Sequence, residues 1–515
     1  MHPFSLLLKF LLLVPAIIVT ASSNNTNEKP NFVFIITDDQ DLHLGSLDYM
    51  PLTTKHLGKQ GTFYKKHYCT ISLCYVNPPY GGYTKFISQG LNDKYLPVWL
   101  QEAGYDTYYT GKLMNGHSVT TWNKPLPAGW NGTKFLVDPG TYIYFNATFQ
   151  QDQSPPAPAP GQYNTDLVKE KGLEFLDTVA NSSRPFFVGI APIGPHAEIT
   201  GSMPFTKPVG AARHQDLFLK DKAPRTSNWN PDKPSGASWI SRLEKLNDTV
   251  IDYHDEWYVG RVQSLQAVDE LVDEVLQRLE HYNLLNNTYV IFTSDNGYHM
   301  GQHRLQPGKA CAFEEDINVP FFLRGPGVPK GKTVDVVTTH TDIAPTLFEL
   351  AGIKQRDDFD GQPIPVTSKA IAQQTKSKKR DHVNVEFWGE SLEEGKFGVV
   401  SFLKDPGQMD NLIASSSRRT TLLNQPTSKV QARLDALLLV LKTCKASSCT
   451  DPWSVIHPQG NVVNLEDALA SKYDEFYAKQ PKVSFSKCEL GYISSSEGAQ
   501  VGNSYHGSDL WPNWV

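Results

Sequence analysis

Four short runs are apolar at almost every position: Asn31–Thr37 (NFVFIIT), Tyr105–Thr110 (YDTYYT), Pro185–Ala191 (PFFVGIA) and Thr288–Thr293 (TYVIFT). β-Branched and aromatic residues fill them, and no strict alternation spares one face for water. Such runs predict strands buried on both sides, the condition of a mainly parallel sheet. The Tyr105 run is the least apolar of the four. Between the runs the period lengthens to that of a helix, over Asp166–Val179 and over Tyr258–Tyr282, where Val268, Leu271, Val272, Val275, Leu276 and Leu279 recur on one face. A further helix is predicted over Asp342–Ala351, with Gly352 as its stop signal. Strand–helix alternation predicts an α/β fold with a mainly parallel central sheet flanked by helices. Ligands of such sheets sit beyond the carboxyl ends of the strands. Polar chemistry follows each run: Asp38-Asp39, Gly111-Lys112, Pro192 through His196, and Asp295-Asn296.

Beyond Gly352 the character changes. Pro363–Arg380 is polar, and its basic cluster Lys376–Arg380 reads as a solvated loop. The division falls there, giving a domain over 30–365 and a smaller C-terminal α+β subdomain over 381–515, with a strand at Asp381–Trp388 and a helix at Lys429–Lys442. At the other end, Lys9, the apolar stretch Phe10–Val19 and the small residues Thr20-Ala21 predict a signal peptide over 1–21. That implies a secreted or vacuolar-lumen protein, with no membrane span after cleavage. Sequons at Asn24, Asn131, Asn146, Asn181, Asn247 and Asn286 fit export, as do the 6 cysteines, of which Cys444, Cys449 and Cys488 lie near one another in sequence. With 48 Lys+Arg against 54 Asp+Glu, the net charge of −6 offers no footprint for nucleic acid.

The residues after the strands suggest specific chemistry. Asp38, Asp39, Asp295 and Asn296 supply hard oxygen donors from two strand ends, a set suited to Ca²⁺ or Mg²⁺. A single such pair more often caps a helix or forms a turn; two pairs after two buried strands point to a cation. Lys112, His196 and Lys309 are the candidate catalytic residues. The ammoniums would hold an anion beside the cation, and His196 would give a proton to a leaving oxygen.

The stretches NFVFIITDDQD, YLPVWLQEAGYDTYYTGKL, FFVGIAPIGPH, TSDNGYHMGQHRLQPGK, EEDINVPFFLRGPG and TDIAPTLFELAG stand in order from Asn31 to about Gly352. Together they resemble the sulfatases of the alkaline-phosphatase-like superfamily, above all fungal arylsulfatases, and are similar to N-acetylglucosamine-6-sulfatases. The resemblance implies hydrolysis of small-molecule or saccharide sulfate esters. It also implies one Ca²⁺ per chain, with Mg²⁺ less favoured, held by Asp38, Asp39, Asp295 and Asn296. Lys112, His196 and Lys309 match sulfate-contacting and leaving-group positions, and His117 and His299 match more weakly. In this family the nucleophile is a formylglycine, made by a dedicated enzyme from the Cys of C-x-P-S-R; its hydrate attacks sulfur.

At that motif the chain departs from the pattern. It reads His67-Tyr-Cys-Thr-Ile-Ser-Leu-Cys74 and passes directly to Tyr75-Val-Asn-Pro-Pro-Tyr-Gly-Gly82. Cys74 matches the position before the nucleophile, and no C-x-P-x-R follows. A second abrupt passage spans Gly395–Leu403. Clean breaks beside intact DD, DNG and GK motifs point to segments lost from the reading frame, not to gradual decay. The expectation is therefore an arylsulfatase by family whose polypeptide lacks its nucleophile. The alternative is a non-catalytic binder of sulfated ligands. Attack by the hydroxyl of Thr70 or Ser72 ranks last, because neither falls at the nucleophile position.

Overall fold

The computed structural model describes residues 29–71, 82–200, 205–236, 240–377, 380–385, 408–409 and 421–483. The expected signal peptide, Asn24, Ser72, Cys74, the Gly395–Leu403 passage and Cys488 lie outside the described residues. All four apolar runs are strands. They are β1 (Asn31–Thr37), β3 (Asp106–Lys112), β7 (Phe186–Ala191) and β8 (Thr288–Ser294). With β2 (Thr62–Tyr64), β4 (Gly132–Leu136), β5 (Asn146–Gln151), β6 (Ala157–Pro160), β9 (Phe321–Arg324) and β10 (Lys332–Val334) they build a 10-stranded sheet of order β10-β2-β9-β8-β1-β7-β3-β4-β5-β6.

The central strands β8, β1, β7, β3 and β4 all run parallel. Toward the margins β9 and β5 turn antiparallel, so the sheet is mixed at its edges. Side chains of β1 alternate between two apolar layers. Val33 and Ile35 face α1 (Asn164–Val179) and α2 (Asp248–His281), while Phe32 faces the layer of Leu100 and of α3 (Ile343–Leu350). All three are fully buried, each contributing on the order of 2 kcal/mol by removal from water.

Helix α2 begins at Asp248, ten residues before the periodic stretch that announces it, after the cap Asn247, whose Oδ1 accepts from the Val250 amide at 3.1 Å. Helix α3 starts after a capping box between Thr339 and Asp342 and stops at Gly352, where φ is +63°. Three expectations need correction. The cluster read as a loop begins inside a helix: Ser368–Ser377 is helical, with no buried residue, and takes in Lys376 and Ser377. Arg380 of the basic cluster is not solvated, because its Nη2 donates to Asp342 Oδ1 at 2.5 Å. Of the strand expected at Asp381–Trp388, residues 381–385 are irregular, with Asp381 Oδ2 accepting from the Leu465 amide at 2.6 Å, and residues 386–388 lie outside the described residues. The helix expected at Lys429–Lys442 spans Thr427–Thr443, and Cys444 is disulfide-bonded to Cys449.

Candidate active site

Because the central strands are parallel, their carboxyl ends share one edge of the sheet, and the polar groups that follow them converge there. Asp38 and Asp39 follow β1; Asp295 and Asn296 follow its neighbour β8. The register carries Thr37 opposite Ser294, so the two pairs leave the sheet side by side. Asp39 N donates to Asp295 Oδ1 at 2.9 Å, and Asn296 Nδ2 donates to Asp39 Oδ1 at 2.9 Å. Asp39 sits in the left-handed region at φ +64°, which short acidic side chains tolerate.

Lys112, the last residue of β3, reaches Asp38 Oδ2 at 2.6 Å and Asp295 Oδ2 at 3.6 Å. Gly111 makes this possible, since its φ of +101° and lack of a Cβ let β3 lie against β7. Lys309, on the loop beyond β8, donates to Asp39 Oδ1 and lies 3.5 Å from Asn296 Oδ1. His196, five residues past β7, places Nε2 3.7 Å from Asp39 Oδ2, while Nδ1 faces the Ala197 carbonyl at 2.7 Å. The structure thus brings together all seven residues expected from the sequence.

Electrostatics follow from burial and these pairs. Burial disfavours the Asp39 carboxylate, yet Lys309 and His196 hold its pKa well below the usual range. Asp295 moves the other way, raised by burial and by the charge of Asp38. His196 is lowered to about 4 by burial, reinforced by the charges of Lys309 and Lys112 against the pull of Asp39. It is therefore neutral at pH 7. With the Nδ1 proton given to the Ala197 carbonyl, Nε2 accepts, and it can donate to a leaving oxygen only after taking up a proton.

Can a cation be held here? Asp38 Oδ1 is buried and has no hydrogen-bond partner, an oxygen whose solvation nothing in the protein replaces. The carboxylates of Asp38 and Asp39 and the His196 nitrogen offer donor atoms within 4.8 Å of one another. Carboxylate and amide oxygens from two loops make a hard donor set, and the residues fit a divalent cation bound through oxygen.

The weaker candidates sit elsewhere. His117 is buried between the rings of Tyr83 and Phe135, at 4.4 Å and 5.2 Å, and burial lowers its pKa to about 4. It makes no hydrogen bond or ion pair with the four oxygen donors among the described residues. His299 turns Nδ1 to Asp316 Oδ1 at 2.7 Å, and the Cys311 amide donates to the same carboxylate at 2.7 Å. Thr70 is half-buried on the loop after the short strand His67–Tyr68.

Other members were not foreseen. Tyr142 stacks on His196 with ring centroids 4.4 Å apart, lies 5.2 Å under the Lys112 ammonium, and donates its hydroxyl to Asn115 Oδ1 at 2.9 Å. Asp138, raised by burial, faces the charges of both Lys112 and His196. Both come from the long connection between β4 and β5 or its approach, where no periodic signal singles out one polar residue.

Comparison with known proteins adds the following. A family model described as Sulfatase matches residues 30–353. Sulfatase ppz1 of Metarhizium majus (strain ARSEF 297) is 44% identical over 375 residues, covering 70% of this chain and 85% of that protein. An arylsulfatase of Volvox carteri is 33% identical over 536 residues, covering 90% and 82%. Other relatives carry the name of extracellular sulfatases. The solved structure of BT4656 in complex with its substrate D-glucosamine-2-N,6-O-disulfate superposes with a TM-score of 0.56 at 18% identity, over 75% of this chain and 94% of that one, a likeness that speaks for the fold. No helix among the described residues is long and apolar enough to cross a membrane.

Proposed function

The chain belongs to the sulfatase family and is by that membership a sulfuric ester hydrolase; from this premise we propose that it binds one Ca²⁺ through Asp38, Asp39, Asp295 and Asn296 and receives the sulfate group of an aryl or sugar sulfate between Lys112, Lys309 and His196. The observation that carries the reading is the buried, unpartnered Oδ1 of Asp38 in a cage of three carboxylates and two ammoniums. A bound divalent cation supplies charge neutralisation for sulfate oxygens and lowers the pKa of a neighbouring nucleophile. Lys112 and Lys309 hold the ester's anionic oxygens from opposite sides and stabilise charge as the ester bond breaks. His196, neutral with Nε2 open, takes up a proton on the nucleophile's side of the reaction and delivers it to the leaving oxygen. Tyr142 fixes the imidazole plane by stacking on it.

A second reading has its own observation: no C-x-P-x-R occurs in the 515 residues. On that ground this polypeptide is a non-catalytic binder of sulfate esters that retains the cation and the lysines. The expected route is export, by the 1–21 leader, with sequon asparagines Asn131, Asn146, Asn181, Asn247 and Asn286 all exposed to receive glycans. The proposed division remains 30–365 and 381–515.

Calorimetry on chelator-stripped full chain is expected to show one Ca²⁺ site that binds Mg²⁺ more weakly, and loss of that site in Asp38→Ala and Asp295→Ala. An aryl sulfate and an amino-sugar sulfate are then offered to this polypeptide and to one carrying a CPSR segment after Cys74, each co-produced with a formylglycine-generating enzyme. Turnover only with the segment supports the hydrolase reading; ester binding without turnover in both supports the binder; absence of Ca²⁺ binding overturns the cofactor assignment.

A further inference from the structure

Between the two ligand-bearing loops lies a buried cation that the reaction itself does not need. Arg261, on the inner face of α2, is 1% exposed, and its Nη2 donates both to the Asp39 carbonyl at 2.7 Å and to Asp41 Oδ1 at 2.6 Å. Asp41 is in turn anchored, its Oδ2 accepting from the amides of Leu44 at 3.1 Å and Ser46 at 3.2 Å. The guanidinium plane stands 4.1 Å from the ring centroid of Tyr298, three residues beyond Asp295. Tyr298 is itself 4% exposed, with its amide on the Glu315 carbonyl at 2.8 Å. One side chain therefore touches the loop after β1 through hydrogen bonds and the loop after β8 through its face.

We propose that Arg261 is a positioning residue that holds the two strand tips in mutual register and thereby sets the cation affinity of the site. The proposal rests on the cation reading above. Residue 39 is pinned at both ends, its amide on Asp295 Oδ1 and its carbonyl on Arg261. Its left-handed φ of +64° is a conformation that an aspartate leaves readily unless held. Rotation of the peptide after Asp39 would swing its carboxylate away from Asn296 and Asp295. Packing alone does not explain an arginine here. Its Nε and Nη1 are buried without hydrogen-bond partners, so an apolar side chain of similar length would serve helix packing at less cost.

The test uses full-length chain, stripped of divalent ions and titrated with Ca²⁺ by calorimetry, well below the melting temperature of each variant. Arg261→Met is expected to weaken Ca²⁺ about tenfold or more, the loss of a charge-assisted hydrogen bond. Arg261→Lys is expected to recover part of this, since an ammonium can reach one acceptor but cannot lie flat on Tyr298. Val275→Ala, fully buried on the same helix, lowers the melting temperature and leaves the Ca²⁺ affinity within twofold. A folded Arg261→Met with unchanged affinity overturns the proposal, and so does a Val275→Ala loss as large as that of Arg261→Met. If Arg261→Met does not fold, Tyr298→Leu carries the test: a several-fold loss supports the clamp, and unchanged affinity overturns it. Unmodified chain that binds no Ca²⁺ brings down the cation reading and the clamp together, and does so before any variant is made.

Discussion

Replacing Gly111 with alanine offers the most quantitative test of how the sheet delivers Lys112. Gly111 pairs with Ala191 across β3 and β7, and an added Cβ would stand 2.0 Å from the Ala191 carbonyl oxygen, against 3.4 Å or more for ordinary contact. The strands must separate by more than about 1 Å locally, an overpacking cost of roughly 1–3 kcal/mol. To this is added the cost of an L residue at φ +101°, roughly 1–3 kcal/mol. Gly104→Ala is the control: φ there is +92°, but nothing lies within 4 Å of the new Cβ, so only the backbone cost applies. Urea unfolding followed by tryptophan fluorescence should place Gly111→Ala about 1–3 kcal/mol below Gly104→Ala in stability. The displacement also moves Lys112 from Asp38, now 2.6 Å away, and a shift near 1 Å can cost about a hundredfold in function. Sulfate-ester affinity in the presence of Ca²⁺ should therefore collapse in Gly111→Ala and persist in Gly104→Ala. Equal stability of the two variants, with sulfate affinity intact in both, would refute the reasoning.

Three further outcomes are expected. His117 keeps its pKa of about 4 in the fold but returns to about 6.5 when unfolded. The unfolded chain then binds more protons between those values, and stability falls as pH drops through that window by up to roughly 3 kcal/mol from this group. His117→Phe, which still stacks between Tyr83 and Phe135, should flatten the acid limb of a urea-midpoint profile between pH 7 and 4.5; an unchanged slope contradicts the assignment. Lys112→Met and Lys309→Met should each weaken inorganic sulfate binding at least tenfold while leaving the Ca²⁺ site filled, read by calorimetry with both ions. Reduction of Cys444–Cys449, which closes a loop with a sequence separation of 5, should cost roughly 2 kcal/mol in the C-terminal helices and leave Ca²⁺ affinity unaltered, seen as an earlier urea transition of those helices alone.

What the chain revealed in advance were properties carried by local pattern. Asn31–Thr37 and Thr288–Ser294 are continuous apolar runs, and such runs have little choice but the middle of a sheet covered on both faces. Once they are parallel neighbours, the acidic pairs that follow them must meet, so the convergence of Asp38, Asp39, Asp295 and Asn296 was legible from order alone. Lys112 was legible as a residue but not as the last position of β3, because the Tyr105 run fades before Gly111 and Lys112 complete the strand. Arg261 was invisible for the opposite reason: a charged residue in an amphipathic helix reads as solvent-facing, and its burial is explained only by distant partners, the Asp39 carbonyl, Asp41 and the Tyr298 ring. Tyr142 and Asp138 depend on the path of a long irregular connection, which no hydrophobic period encodes. The neutral state of His196 likewise follows from burial between two ammoniums, a property of the assembled site. Of the strand expected over 381–388, the described residues 381–385 are irregular, with Val383 and Val385 packed against Tyr68, Cys69 and Ile317.

On the proposed reading, cation and sulfate belong to one device. Asp38, Asp39 and Asp295 bring three negative charges to a buried pocket, Lys112 and Lys309 return two positive ones, and His196 is neutral. Among these groups carboxylates outnumber ammoniums, and the ammoniums are engaged by the carboxylates that flank them. An anionic sulfate ester entering that pocket would meet repulsion at low dielectric, where a few ångströms between like charges costs on the order of 4 kcal/mol. A divalent cation held by these carboxylates would turn the balance positive, the complement of a sulfate monoester. The lysines engage the same carboxylate oxygens that would hold the cation, so their N–H groups would become available to the ester. The two lysines, which in this structure pair with the clustered carboxylates, would then be the groups that hold the substrate of the proposed reaction. On that reading the pocket would take its ligands in sequence, cation before ester, in the order set by the sum of its charges.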